Sequence, residues 1–146
     1  MAVKHAAARA ARGPKPGKKY FTVEEANQAL VYVQRVVEDV TASYAQIVRL
    51  RRQLEAEPAH VGAADMEREY DAAMDRLSGY IDELHDLGVE LKDFEQGLID
   101  FPSLFEGREV LLCWCRREPT ITHWHEVDAG FAGRRPVSQL RNPVAA

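Results

Sequence analysis

The stretch Leu77-Ser78-Gly79-Tyr80-Ile81-Asp82-Glu83-Leu84-His85-Asp86-Leu87-Gly88-Val89-Glu90-Leu91-Lys92-Asp93-Phe94 decides the fold. Up to Leu87 its apolar residues recur at helical spacing. Leu77, Tyr80 or Ile81, Leu84 and Leu87 stand three or four apart, which places them on one helix face. From Val89 to Phe94 apolar and charged residues alternate, the period of a strand. Gly88 sits at the change, and a glycine there can take the left-handed conformation that closes a helix. The chain therefore passes from helix to sheet at this point.

Working upstream, Met66, Tyr70 and Ala73 carry the helical series back, so a helix is expected over about 63–87. Pro58 to Gly62 breaks the pattern. Before the break, Thr22 and Glu25 match a capping box, in which each side chain satisfies the other residue's free backbone N–H. Phe21 and Ala26 would form a weak hydrophobic staple around it. A first helix then starts at Val23, with Ala26, Leu30, Val33, Val37, Val40, Tyr44, Ile47 and Leu54 alternating four and three apart and Arg51 in the one missing place. That is a heptad seam, and a helix over about 23–55 would run about 50 Å. Two long helices joined by a short break predict an antiparallel, coiled-coil-like hairpin. A lone hairpin buries only a stripe of each helix. It needs a sheet or a second copy against it, and a homodimer is expected.

Working downstream, Gly97 to Pro102 reads as a short extended piece ending at its proline. Glu109 to Cys115 is apolar on both faces, the mark of a central strand. Glu118-Pro119 turns the chain into Thr120 to Glu126. The expected fold is α+β: a long antiparallel helical hairpin followed by a small three- or four-stranded antiparallel sheet over about 89–127. A single domain would span 20–136, closing with a Gly/Arg loop over 128–136, and residues 137–146 would be a loosely ordered tail.

The 146 residues suit one domain. No apolar run approaches the roughly 20 residues that span a bilayer, and no signal-peptide core precedes the domain. Cys113 and Cys115 stand two apart on one strand, a poor geometry for a disulfide. They are expected as reduced thiols in a cytoplasmic protein. The net charge is −4, but Lys4, Arg9, Arg12, Lys15, Lys18 and Lys19 lie in residues 1–19 with no acid among them. That leaves 13 of the 19 basic residues against all 23 acidic ones in the body. An acidic body excludes nucleic acid as the main partner, because phosphate contacts need a basic face. Residues 1–19 are expected as a disordered basic tail, capable of weak contact with nucleic acid at most.

The chain resembles the bacterial domain-of-unknown-function family 2203 over roughly residues 20–136. Phe21-Thr22-Val23-Glu24-Glu25-Ala26-Asn27 carries the resemblance at the first helix, and Gly88 to Asp93 with Gly97 to Pro102 carries it at the start of the sheet. Gly107 to Trp114 and the closing Trp124-His125 through Arg134 complete it. The resemblance implies a small, soluble, bacterial protein and carries over no catalytic residue. The basic tail reads as an extension peculiar to this chain.

The candidate chemistry gathers in Trp124-His125-Glu126-Val127-Asp128-Ala129-Gly130-Phe131-Ala132-Gly133-Arg134-Arg135-Pro136, a mixture no packing period explains. His123 and His125 share a strand face and could form half of a zinc or iron site. Asp128, Asp100, Glu95 or Cys113 could complete it. Asp128 could instead orient His125 as a general base, with Cys113 or Cys115 as a nucleophile if a cation lowered its pKa. The glycines and Arg134 could hold a small anion; otherwise Arg134 pairs with Asp100 or Asp128 and pins the loop. Asp100-Phe101-Pro102 suggests a fixed turn whose carboxylate joins His125. Trp114 and Trp124 should be core or interface residues with partnered N–H groups.

Three functions follow. The first is a cytosolic binding protein with a pocket of Asp100, His125, Asp128 and Arg134 for a metal ion or small anion. The second is a metal-assisted hydrolase or oxygenase at the same place. The third is an interaction module that works through its hairpin.

Overall fold

The computed structural model describes residues 13–57 and 60–140. Helix α1 spans Val23–Ala56 and α2 spans Ala63–Asp86. Five strands follow: β1 Glu90–Asp93, β2 Leu98–Phe105, β3 Arg108–Cys115, β4 His123–Glu126 and β5 Arg135–Pro136. They form one antiparallel sheet in sequence order. The α+β class and the hairpin-then-sheet order are as expected, but the strand count is five, not three or four. The extra strand lies inside the expected Gly/Arg loop. It is two residues long and sits at the sheet edge, where Pro136 leaves no ladder donor missing. Val137 N–H extends the pairing by donating to the Thr122 carbonyl at 2.9 Å.

Local signals set the helix ends. Thr22 and Glu25 make the reciprocal capping box. At the end of α2, Val89 N–H donates to the Leu84 carbonyl and Gly88 N–H to the His85 carbonyl. Gly88 is left-handed, with φ 85°. These are the paired bonds of a Schellman motif, and the buried Leu84 and Val89 supply its hydrophobic contact.

The buried stripe of α1 is wider than the expected seam. Val36, Ser43 and Leu50 are buried besides Ala26, Leu30, Val33, Val37, Val40 and Ile47. A helix with one neighbour buries two rows, but α1 is flanked by α2 and by the sheet. Ile99, Phe101, Val110, Leu112, Trp114 and Trp124 form the sheet side of that core.

The proline of β2 does not end the strand. Pro102 pairs with Leu111, and the strand continues to Phe105. β1 pairs only as far as Asp100, so Pro102 lies on a free edge. There Phe21 N–H donates to the Pro102 carbonyl at 2.7 Å and Ser103 Oγ donates to the Phe21 carbonyl at 2.6 Å. The missing proline N–H costs nothing where the neighbour is this short segment.

The basic extension expected over 1–19 lies partly outside the described residues. Within residues 13–19, Lys18 Nζ is 2.7 Å from Glu109 Oε1. Val137–Leu140 forms a 3-10 turn whose Val137 and Leu140 pack on the core, and residues 141–146 lie outside the description.

The β1–β2 turn is held by Asp93, whose Oδ1 accepts from Glu95 N–H and Gln96 N–H. Gly97 follows with φ 72°, and a Cβ there would lie 2.9 Å from Arg116 Cβ and 3.0 Å from Val37 Cγ1. Gly97→Ala should therefore cost at least the roughly 1–2 kcal/mol of a left-handed non-glycine residue, with crowding added. Urea denaturation measures this, and an unchanged midpoint would contradict the turn.

Candidate metal centre

The pairing register puts one row of side chains across three strands. Asp100 on β2 pairs with Cys113 on β3, which pairs with His123 on β4. The next row is Pro102, Leu111 and His125. Both rows alternate with the residues packed on the helices, so they lie on the opposite face. His125 reaches diagonally over β3, and its Nε2 stands 3.1 Å from Asp100 Oδ1. Its Nδ1 stands 2.7 Å from the Glu126 carbonyl.

Asp100, Cys113 and His125 are all buried, with exposures of 2%, 0% and 3%. One donor atom from each lies within 4.8 Å of the other two. Ligands at about 2.0–2.3 Å around a tetrahedral zinc stand about 3.3–3.8 Å apart. A small contraction would thus close the three donors on one ion. The Glu126 carbonyl can only accept, so a neutral His125 must carry its proton on Nδ1. That leaves the Nε2 lone pair facing Asp100 and Cys113. An anchored far nitrogen is how metal-binding histidines are held.

Without a cation the same geometry holds a proton. The His125 imidazole is pushed up from 6.5 to about 10, first by its bond to Asp100 and then by the Cys113 thiol, with burial opposing and the Glu126 carbonyl adding. Both ring N–H groups of the imidazolium then donate, to Asp100 and to the Glu126 carbonyl.

The remaining candidates sit elsewhere. His123 is half-buried, with Nδ1 2.8 Å from Thr122 Oγ1, and is outside the three-residue set. Asp128 is exposed on the turn after β4, and Glu95 is exposed on the β1–β2 turn. Arg134 Nη2 donates to Glu118 Oε1 at 2.7 Å and to the Cys113 carbonyl at 3.3 Å. Its carboxylate partner is Glu118, which also accepts from Cys115 N–H at 2.7 Å. Nothing local in the sequence marks that pair, because it joins the β3–β4 connection to the β4–β5 connection. Cys113 and Cys115 are both free thiols. Burial pushes the Cys115 thiol up, and Glu118 adds to that, the opposite of what a nucleophile needs. Trp114 Nε1–H donates to the Glu118 carbonyl at 2.8 Å, whereas buried Trp124 Nε1–H has no partner among the described residues.

A family model described as "Uncharacterized conserved protein (DUF2203)" matches residues 19–137. The chain belongs to this family. The match takes in both helices, all five strands and the three clustered residues. No curated protein and no solved structure matches the chain. No helix among the described residues is long and apolar enough to cross a membrane.

In metal-free protein, His125 should stay protonated at neutral pH and titrate near 10 in a proton–nitrogen NMR titration. The raised pKa stabilises the fold fully below the unfolded value of about 6.5. That stabilisation is lost as pH rises through the folded value. Asp100→Asn should therefore be most destabilising at low pH and approach wild type in alkali. A His125 that titrates near its ordinary value would refute the pairing.

Proposed function

We propose that this is a cytosolic metal-binding protein in which Asp100, Cys113 and His125 hold a zinc or ferrous ion. The observation that carries the reading is the buried convergence of three different donor types, with the imidazole's far nitrogen anchored on a backbone carbonyl. A thiolate and an imidazole favour zinc or iron over magnesium or calcium, which prefer all-oxygen sites. Three protein ligands leave a fourth coordination position, which a hydrolase or oxygenase would use. Burial weighs against that extension. Three surface clefts of about 410, 480 and 490 Å³ are lined by other residues. Binding is therefore favoured over catalysis, and over a hairpin acting alone as an interaction module. Arg134, engaged by Glu118, supports a clasp more than an anion pocket.

The expected cytosolic setting suits two free thiols. The expected homodimer has exposed Val31 and Tyr32 on α1 as its candidate surface. A solution mass of one chain would remove the dimer from the reading.

Metal analysis of protein purified without chelators tests the centre. Near-stoichiometric zinc or iron is expected, and cobalt substitution should give an intense near-ultraviolet thiolate band. Cys113→Ser should abolish that band. His125→Ala and Asp100→Asn should weaken binding beyond the roughly 10–100-fold cost of losing an outer partner. Binding releases protons, so affinity should rise with pH. A folded protein that takes up no metal, or binds equally well in Cys113→Ser, would overturn the reading.

A further inference from the structure

A cleft of about 410 Å³ lies between α1 and the β3–β4 connection, lined by Gln34, Arg35, Glu38, Trp114, Arg117, Glu118 and Pro119. Two carboxylates and two guanidinium groups line it, so it looks neutral on paper. The carboxylates are taken from outside. Glu38 accepts two bonds from Arg116, at 2.7 and 3.0 Å. Glu118 accepts from Arg134 and from Cys115 N–H. Arg35 and Arg117 make no hydrogen bond or ion pair among the described residues, and Arg117 feels Glu38 only at longer range. Residues 1–12, 58–59 and 141–146 contain no Asp or Glu that could pair with them. The cleft is thus locally cationic on an acidic protein.

Arg117 also stands where its own backbone is unfavourable. Glu118 N–H closes a turn on the Cys115 carbonyl at 3.0 Å, and Arg117, the third residue of that turn, has φ 83°. Such a turn wants glycine at this place. A strained arginine with no partner points to a job for its side chain. Exposed Pro119 and the thin outer edge of Trp114, a core residue only 2% exposed, add an apolar rim beside the two cations.

We propose that this cleft binds a small phosphate ester with an apolar body, the phosphate on Arg35 and Arg117 and the body against Pro119 and the outer edge of Trp114. Guanidinium groups pair with phosphate through charge-assisted hydrogen bonds, and the volume suits a small ligand. The site is separate from the Asp100–Cys113–His125 centre and stands whether or not that centre holds metal.

The test uses phenyl phosphate, inorganic phosphate and benzyl alcohol as probes, read at the indole Nε1–H of Trp114 in proton–nitrogen NMR spectra. Phenyl phosphate should shift that signal saturably, inorganic phosphate should bind more weakly, and benzyl alcohol should leave it unmoved. Arg35→Gln and Arg117→Gly should each weaken phenyl phosphate by at least about tenfold. Arg117→Gly should melt at the same or a higher temperature, because glycine relieves the left-handed strain. Loss of binding without loss of stability separates a ligand role from a structural one. The Arg35→Gln variant, on an exposed helix face, tests the proposal even if the turn variant misfolds. No saturable shift, affinity that survives either substitution, or phosphate binding as well as its phenyl ester would overturn it.

Discussion

Burial of a carboxylate, an imidazole and a thiol on the sheet face turned away from the helices is the constraint on which the structure depends. A buried polar group is costly unless it is satisfied, and a buried charge more so. Asp100 and His125 satisfy each other across β3, and Glu126 takes the remaining imidazole N–H. The pair only works if β2, β3 and β4 keep one register, because a slip of one residue would turn all of these groups to the helix side. The polar cluster and the strand pairing therefore enforce one another.

The other face is the apolar one, and α1 does most to cover it, burying nine residues where α2 buries three. Trp124, Phe101, Leu112 and Val110 are almost fully enclosed and share one core cluster with Leu30, Val33, Val37 and Val40 of α1. Burial on both faces explains why β3 is apolar from Val110 to Trp114. Links across the layers hold it in place. Arg116 of the β3–β4 connection grips Glu38 on α1, and Asn27 Oδ1 accepts from Ile121 N–H at 2.8 Å. The same Arg116–Glu38 contact leaves the neighbouring cleft with uncompensated cations.

What could be read from sequence was what neighbours along the chain decide. Thr22 and Glu25 announce a helix start, and Gly88 announces its end, because each acts within four residues. The period change at Gly88 separated helix from sheet for the same reason. Strand alternation placed His123 and His125 on one face, but alternation carries no information on reach, and only His125 meets Asp100. Pro102 looked like a terminus because its missing N–H matters only if a neighbour needs it, and the Phe21 segment that lies there is 81 residues away in sequence. The fifth strand and the Arg134–Glu118 pair were hidden likewise: each depends on segments brought together by the finished sheet.

The central claim is that the buried Asp100–Cys113–His125 cluster is a metal centre rather than an ion pair alone. X-ray absorption at the zinc edge of the zinc-loaded protein tests it most directly. The account predicts one sulfur neighbour at about 2.3 Å and nitrogen or oxygen neighbours at about 2.0–2.2 Å, with the scattering pattern of one imidazole. A first shell of oxygen and nitrogen alone, with no sulfur, would place the zinc elsewhere and leave the cluster as a buried proton-holding pair.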